Sequence, residues 1–144
     1  MAGKILTTDA EIKDVLKSMK TVAVLGLSTD SSKASHRVAA YLVNKGVDVK
    51  PVRPDGAEVL GVKAETSVDK INIPVDVVDV FRKSQDIPPH ADEVLAMNPT
   101  PKVFWMQLDI ENQEAALKLT EAGIDVVMNK CIKIEYDRLI EEHD

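Results

Sequence analysis

The residues best suited to chemistry in this chain collect where apolar segments end. Thr21-Val-Ala-Val-Leu-Gly-Leu-Ser28 is an apolar run that closes on Gly26 and Ser28. A polar stretch then leads into Ser35-His-Arg-Val-Ala-Ala-Tyr-Leu42. Strand, loop and helix start in that order make a phosphate cradle, because a first helical turn has unpaired amide N–H groups and the positive end of the helix dipole. Gly26 serves a sharp turn or a close approach of backbone to phosphate, and both uses can hold. Ser35 is a helix cap or a phosphate ligand. Arg37 and His36 stand in the first helical turn, where a cation opposes the dipole and a bound anion would offset that cost. The next apolar segment ends in Pro51-Val-Arg-Pro54. A free ribose 2′-hydroxyl usually meets an Asp or Glu at this place, whereas Arg53 suits a phosphorylated ribose. The full Gly-x-Gly-x-x-Gly fingerprint is absent, which weakens the case for a dinucleotide.

Three further ends carry polar, basic or aromatic side chains: Phe81-Arg82-Lys83, Trp105-Met106-Gln107 and Asn129-Lys130-Cys131. Arg82 is a surface residue or an anion ligand. Phe81 and Trp105 pack in the core or its rim, or form an apolar wall for a ligand. Cys131 is the only cysteine, so no disulfide forms within the chain and a cysteine zinc site is excluded. With no histidine near it in sequence, Cys131 reads as a small buried hydrophobe before it reads as a nucleophile. His36, His90 and His143 lie far apart, and no metal-ligand spacing is visible. The acidic tail around Glu141-Glu-His-Asp144 reads as a solvated face.

These groups need elements to hold them. Thr8 and Glu11 form a capping box ahead of Ile12, Val15, Leu16 and Met19 at helical spacing. Residues 21–27 read as a strand buried on both faces, as parallel central strands are. A helix over 35–45 stops at Gly46. Strands follow at 47–52, 75–81, 102–106 and 124–128, with a single short edge strand within 59–64. Helices are expected at 88–97, 112–122 and 135–142. Asp55-Gly56 marks a turn, and Asn98-Pro-Thr-Pro101 ends a helix. Alternation of this kind gives an α/β fold, a parallel sheet with helices on both faces. Ligands then lie beyond the carboxyl ends of the strands.

The 144 residues suit one domain, with 44% apolar and 29% charged residues as in ordinary globular chains. A net charge of −6 argues against broad nucleic-acid binding, though not against a small anion that needs only a local positive cluster. No apolar run reaches the length of a membrane span, and Met1 to Asp9 lack the apolar core of a signal peptide. The expected location is the cytoplasm.

In order along the chain, Val24-Leu-Gly-Leu-Ser28 with Ser35 and Arg37-Val38, Pro51-Val-Arg-Pro54, Glu58-Val-Leu-Gly61, Val75-Asp-Val-Val-Asp-Val-Phe-Arg82, Val103-Phe-Trp-Met-Gln107 and Val127-Met-Asn-Lys-Cys131 form a pattern. It resembles the small single-domain CoA-binding proteins, which are similar to the CoA-binding domain of the succinyl-CoA synthetase α subunit. The resemblance runs from about Lys20 to Leu139, after an N-terminal helix within residues 1–19. It implies a Rossmann-like, doubly wound, mostly parallel sheet of about five main strands, holding coenzyme A or an acyl-CoA across its strand ends. By that resemblance Gly26, Ser28 and Ser35 border the phosphates, with Arg37 beside them. Val52, Arg53 and Pro54 border the nucleotide, and Phe81, Arg82 and Ser84 follow along the ligand. Met106 and Gln107 face the pantetheine arm, and Asn129, Lys130 and Cys131 lie near it.

The chain departs from the family pattern in places. Arg53 and Asp109 stand where Asn and Gly are common, Asn129 often appears as Asp, and Asn98-Pro-Thr-Pro101 replaces a shorter turn. The synthetase carries its phosphorylated histidine in a second domain, so ligase activity is not implied. A binding module without catalytic residues is the expectation, with an NADP-linked enzyme or a regulatory scaffold with a vestigial pocket as rivals. The ligand is a small-molecule nucleotide; any protein partner is left open.

Overall fold

A computed structural model describes residues 2–141. Glu142, His143 and Asp144, and with them most of the acidic tail, lie outside the described residues. Helix α1 (Asp9–Ser18) opens with the expected capping box: the Thr8 hydroxyl accepts from the Glu11 amide, and Glu11 returns a carboxylate to the Thr8 amide. Strand β1 (Thr21–Leu25), helix α2 (Ala34–Asn44) and strand β2 (Asp48–Val52) follow. The expected edge strand is instead a hairpin, β3 (Glu58–Val59) and β4 (Val62–Lys63), paired antiparallel. Leu60 (φ 53°) and Gly61 (φ 79°) turn the chain. Two adjacent left-handed residues suit a tight hairpin turn, so the chain reverses where the apolar pattern alone suggested one run.

The remaining elements are β5 (Val77–Val80), α3 (Ile87–Leu95), β6 (Val103–Met106), α4 (Gln113–Glu121), β7 (Asp125–Val127) and α5 (Ile132–Tyr136). The last helix therefore starts earlier than expected, at Cys131 as N-cap, and continues over Asp137–Glu141 with a wider winding. Each main strand is a residue or more shorter than expected: β1, β5 and β7 stop early because their apolar runs continue into the turn that leaves the sheet, whereas β2 and β6 start one residue late.

All five main strands are parallel, in the order β2-β1-β5-β6-β7. Alternate side chains build two cores. Val22, Val24, Val77 and Trp105 face α1, α2 and α5 through Ile12, Leu16, Leu42 and Ile132. Ala23, Leu25, Val78, Val80, Phe104 and Met106 face α3 and α4 through Ile87, Val94, Ala116 and Leu119. The α/β sheet with helices on both faces is thus present as expected. Both edges are partly covered. The segment around Ile5 pairs with Val126, and Glu65 bridges to Val52, which blunts edges that would otherwise pair with another chain.

From β1 the chain moves outward to β2, then returns across β1 to β5. The strand order reverses between β1 and β5, and in open α/β sheets the ligand crevice lies at the carboxyl ends of the strands on either side of that point. No helix among the described residues is long and apolar enough to cross a membrane.

Candidate functional site

Gly26 forms the floor of this crevice. Its φ is +87°, and a Cβ there would stand 2.4 Å from the Phe81 carbonyl oxygen and 3.4 Å from Arg82 Nε. The first contact makes glycine necessary for β1 and β5 to close side by side, and it leaves the turn low beneath Arg82. The Gly26 amide donates to the Val52 carbonyl at 3.1 Å, tying the turn to β2.

Ser35 is not the helix cap. Lys33 holds that position and offers no side-chain acceptor. Ser35 sits inside the first turn, buried, and its hydroxyl accepts from the Ser28 amide at 2.9 Å. It shapes the loop from within, while Ser28 Oγ accepts from the Asp30 amide. Helices α1 and α4 are capped by Thr8 and Asn112 side chains; α2 is not, so its leading amides lack a side-chain partner. Arg37 is exposed and donates to the Ser32 carbonyl.

Arg82 follows β5 and is partly buried. Its Nε is withdrawn from solvent and has no hydrogen-bond partner among the described residues. An unpartnered buried donor costs about 1–3 kcal/mol. An anion resting above Gly26 would remove that cost.

Arg53 is already engaged. Its Nε and Nη2 donate to the two oxygens of Asp55, each at 2.9 Å, and Nη1 donates to the Leu27 carbonyl at 2.7 Å. The Arg53 guanidinium and the Ala57 amide hold the Asp55 carboxyl down to about 2. An acid therefore does stand at the β2 end, displaced by two residues from where it was sought. The sequence showed Asp55 only as a turn residue. Pro54 begins that turn, and the Val52 side chain belongs to the core.

The far side of the crevice is built by β6 and β7. Phe81 is half-buried and packs against the α1, α2 and α5 core. Ser84 joins two loops: its hydroxyl accepts from the Glu111 amide and its carbonyl from Asn112 Nδ2. Met106 is fully buried, a core side chain with no exposed surface to offer a pantetheine arm. Gln107 is nearly buried, and its Oε1 accepts from the Ile132 amide at 3.1 Å. Trp105 is also core, donating from Nε1 to the Lys130 carbonyl; the apolar-wall alternative does not apply to it.

Asp109, which replaces a common glycine, adopts φ 70°, and Asn129 adopts φ 61°. Short polar side chains tolerate this region better than others. The Asp109 amide donates to Asn129 Oδ1 at 2.6 Å, locking the two loops together. Lys130 reaches Glu135 at 3.8 Å. Cys131 is half-buried at the head of α5, and no hydrogen bond among the described residues joins it to a base. Asn129 and Lys130 line a cavity of about 360 Å³ that reaches toward Ile5 and Thr7. Another, of about 290 Å³, lies at the opposite, amino end of the sheet under α1, away from the carboxyl ends where ligands sit in such folds.

Asp79 escaped the sequence reading. It occupies the centre of β5, between Val24 and Trp105 in register. It is fully buried, and neither carboxyl oxygen has a hydrogen-bond partner among the described residues. Burial raises its carboxyl well above the usual range. An acid alone in the apolar run Val77-Val-Asp-Val80 was the available signal. No cluster of metal-binding side chains occurs among the described residues.

Comparison with known proteins supplies a context. A family model described as a CoA binding domain matches residues 20–137. YneT of Bacillus subtilis (strain 168), an uncharacterised protein, is 41% identical over 127 residues, covering 88% of this chain and 93% of YneT. The structure titled cell-free ID.343 from Thermus thermophilus is 39% identical with a TM-score of 0.87, covering 93% of this chain and all (100%) of that one. A dinucleotide-forming acetyl-coenzyme A synthetase of Ca. Korarchaeum cryptofilum has a TM-score of 0.65 at 22% identity. Its match covers 79% of this chain and 27% of the synthetase, a likeness of fold alone.

Proposed function

The chain belongs to the CoA-binding domain family, and from that membership we propose that it binds coenzyme A or an acyl-CoA without transforming it. In this reading residues 20–139 act as one binding unit. The pyrophosphate lies over Gly26, beside Ser28 and the uncapped start of α2, with Arg82 above and Arg37 at the rim. The adenosine lies at the β2 end by Arg53 and Pro54. The pantetheine arm runs past Phe81 and Ser84 toward Gln107 and the Asn129-Lys130-Cys131 segment. Ser35, Val52 and Met106 support this surface from beneath rather than touching the ligand with their side chains.

One observation carries the reading: a buried guanidinium nitrogen, without a partner among the described residues, stands beside a left-handed glycine at the point where strand order reverses. Once the guanidinium turns that edge outward, it is a donor for an anion at the place where α/β sheets bind nucleotides. Among the described residues no base is bonded to the Cys131 thiol, and binding accounts for the site without a reaction step.

Thermal unfolding with CoA, dephospho-CoA, NADP and NAD tests the proposal. Ligand at one hundred times its dissociation constant adds roughly 2.7 kcal/mol, about 5–10 °C for a chain of this size. CoA is expected to give the largest shift. A larger shift with NAD than with CoA would overturn the reading.

A further inference from the structure

Arg53 and Asp55 make a two-residue device at the β2 end. Asp55 takes the Nε and Nη2 edge of the guanidinium, while the Leu27 carbonyl takes Nη1. The Asp55 carboxylate is itself pinned, because Oδ1 also accepts from the Ala57 amide at 3.0 Å. The unspent N–H groups of the fork remain for a ligand. Any phosphate that reaches them comes close to a carboxylate that stays ionised at neutral pH. Asp55 is the more exposed partner, with 57% of its side chain accessible against 22% for Arg53.

We propose that Asp55 sets how strongly this site distinguishes a phosphorylated ribose from a plain one, by holding Arg53 in place and subtracting from its charge. The inference rests on the CoA reading above. Arg53 supplies the attraction for a ribose phosphate, and Asp55 limits it. A plain ribose has no charge at this point, so Asp55 leaves its binding almost unchanged.

The test is calorimetric titration of wild type, Asp55→Asn and Arg53→Gln with CoA and dephospho-CoA, which differ only in the ribose phosphate. NADP and NAD form a second pair that also differs by one ribose phosphate, on the 2′-oxygen rather than the 3′-oxygen. Asn at position 55 keeps an acceptor for Arg53 and Ala57 while losing the charge. The ratio of CoA to dephospho-CoA affinity is expected to widen about twofold to fivefold in Asp55→Asn, the scale of one exposed ion pair, with dephospho-CoA affinity constant. In Arg53→Gln the ratio collapses by about tenfold or more, the loss of a charge-assisted phosphate contact. An unchanged or narrowed ratio in Asp55→Asn overturns the inference while leaving CoA binding standing. If wild type binds NADP and not CoA, the CoA reading falls, and the inference is then judged on the NADP to NAD ratio. Failure of all four ligands to bind wild type overturns both.

Discussion

Replacing Asp79 should stabilise the protein at neutral pH. The side chain lies in the middle of the sheet, wholly buried, with both oxygens unpartnered among the described residues and its carboxyl raised by burial well above the ordinary range. The sign follows from proton counting. Below about pH 3.9, the unfolded value, both states hold the proton and the group contributes nothing. As pH rises beyond that, the unfolded chain ionises while the native state keeps its proton. The native state then binds more protons, so stability falls with pH until the native carboxyl itself ionises. Each pH unit inside this window costs about 1.4 kcal/mol. Asp79→Asn removes the titration and keeps the shape; Asp79→Val also removes the orphaned polar atoms, each such group worth about 1–3 kcal/mol. At pH 7 we expect Asp79→Val to gain about 2 kcal/mol or more, roughly 4–8 °C in Tm. The gain of Asp79→Asn should shrink toward zero near pH 4, while part of the Val gain persists. Urea unfolding of the three proteins between pH 4 and 8 measures this. If both variants lose stability at pH 7 by an amount that does not vary with pH, Asp79 is ionised and partnered, and the reasoning fails.

Four other substitutions test the site, Lys118→Ala among them as a control. Gly26→Ala should cost about 2–5 kcal/mol, from a left-handed backbone and from the overlap with the Phe81 carbonyl; an unchanged urea midpoint would refute it. Arg82→Ala should weaken CoA binding about tenfold or more. Lys118→Ala should not, because Lys118 is spent on Asp92 between α4 and α3 at 2.7 Å; equal affinities by calorimetry would remove Arg82 from the site. Cys131→Ser should leave CoA affinity nearly intact, and wild type should show no acyl-CoA hydrolysis. Hydrolysis that depends on Cys131 would make it a nucleophile.

What the sequence alone determined is what short-range physics governs. The Thr8–Glu11 box and the stop at Gly46 are signals between residues three or four apart, and each appears where expected; Asn112, expected as the first residue of a helix, is instead the cap of α4. Apolar runs marked β1, β5 and β6 because burial on both faces leaves no alternation to confuse; the edge strand β2 alternates, with Asp48 exposed and Lys50 half-buried. The same local reading mistook the hairpin at Leu60-Gly61 for one strand, since a left-handed turn at Leu60 has no compositional mark.

Only the tertiary structure decided the strand order, the crevice between β1 and β5, and the state of each charged group. Arg53 bonds to Leu27, 26 positions earlier. Ser35 bonds to Ser28 rather than capping its own helix. Among the described residues Arg82 finds no partner for Nε, and Asp79 finds none for either oxygen. A side chain's charge and donors are written in the sequence, but whether they are spent depends on what the folded chain brings within about 3 Å of them. That distance is set by packing between strands and helices far apart along the chain, which residue spacing does not encode.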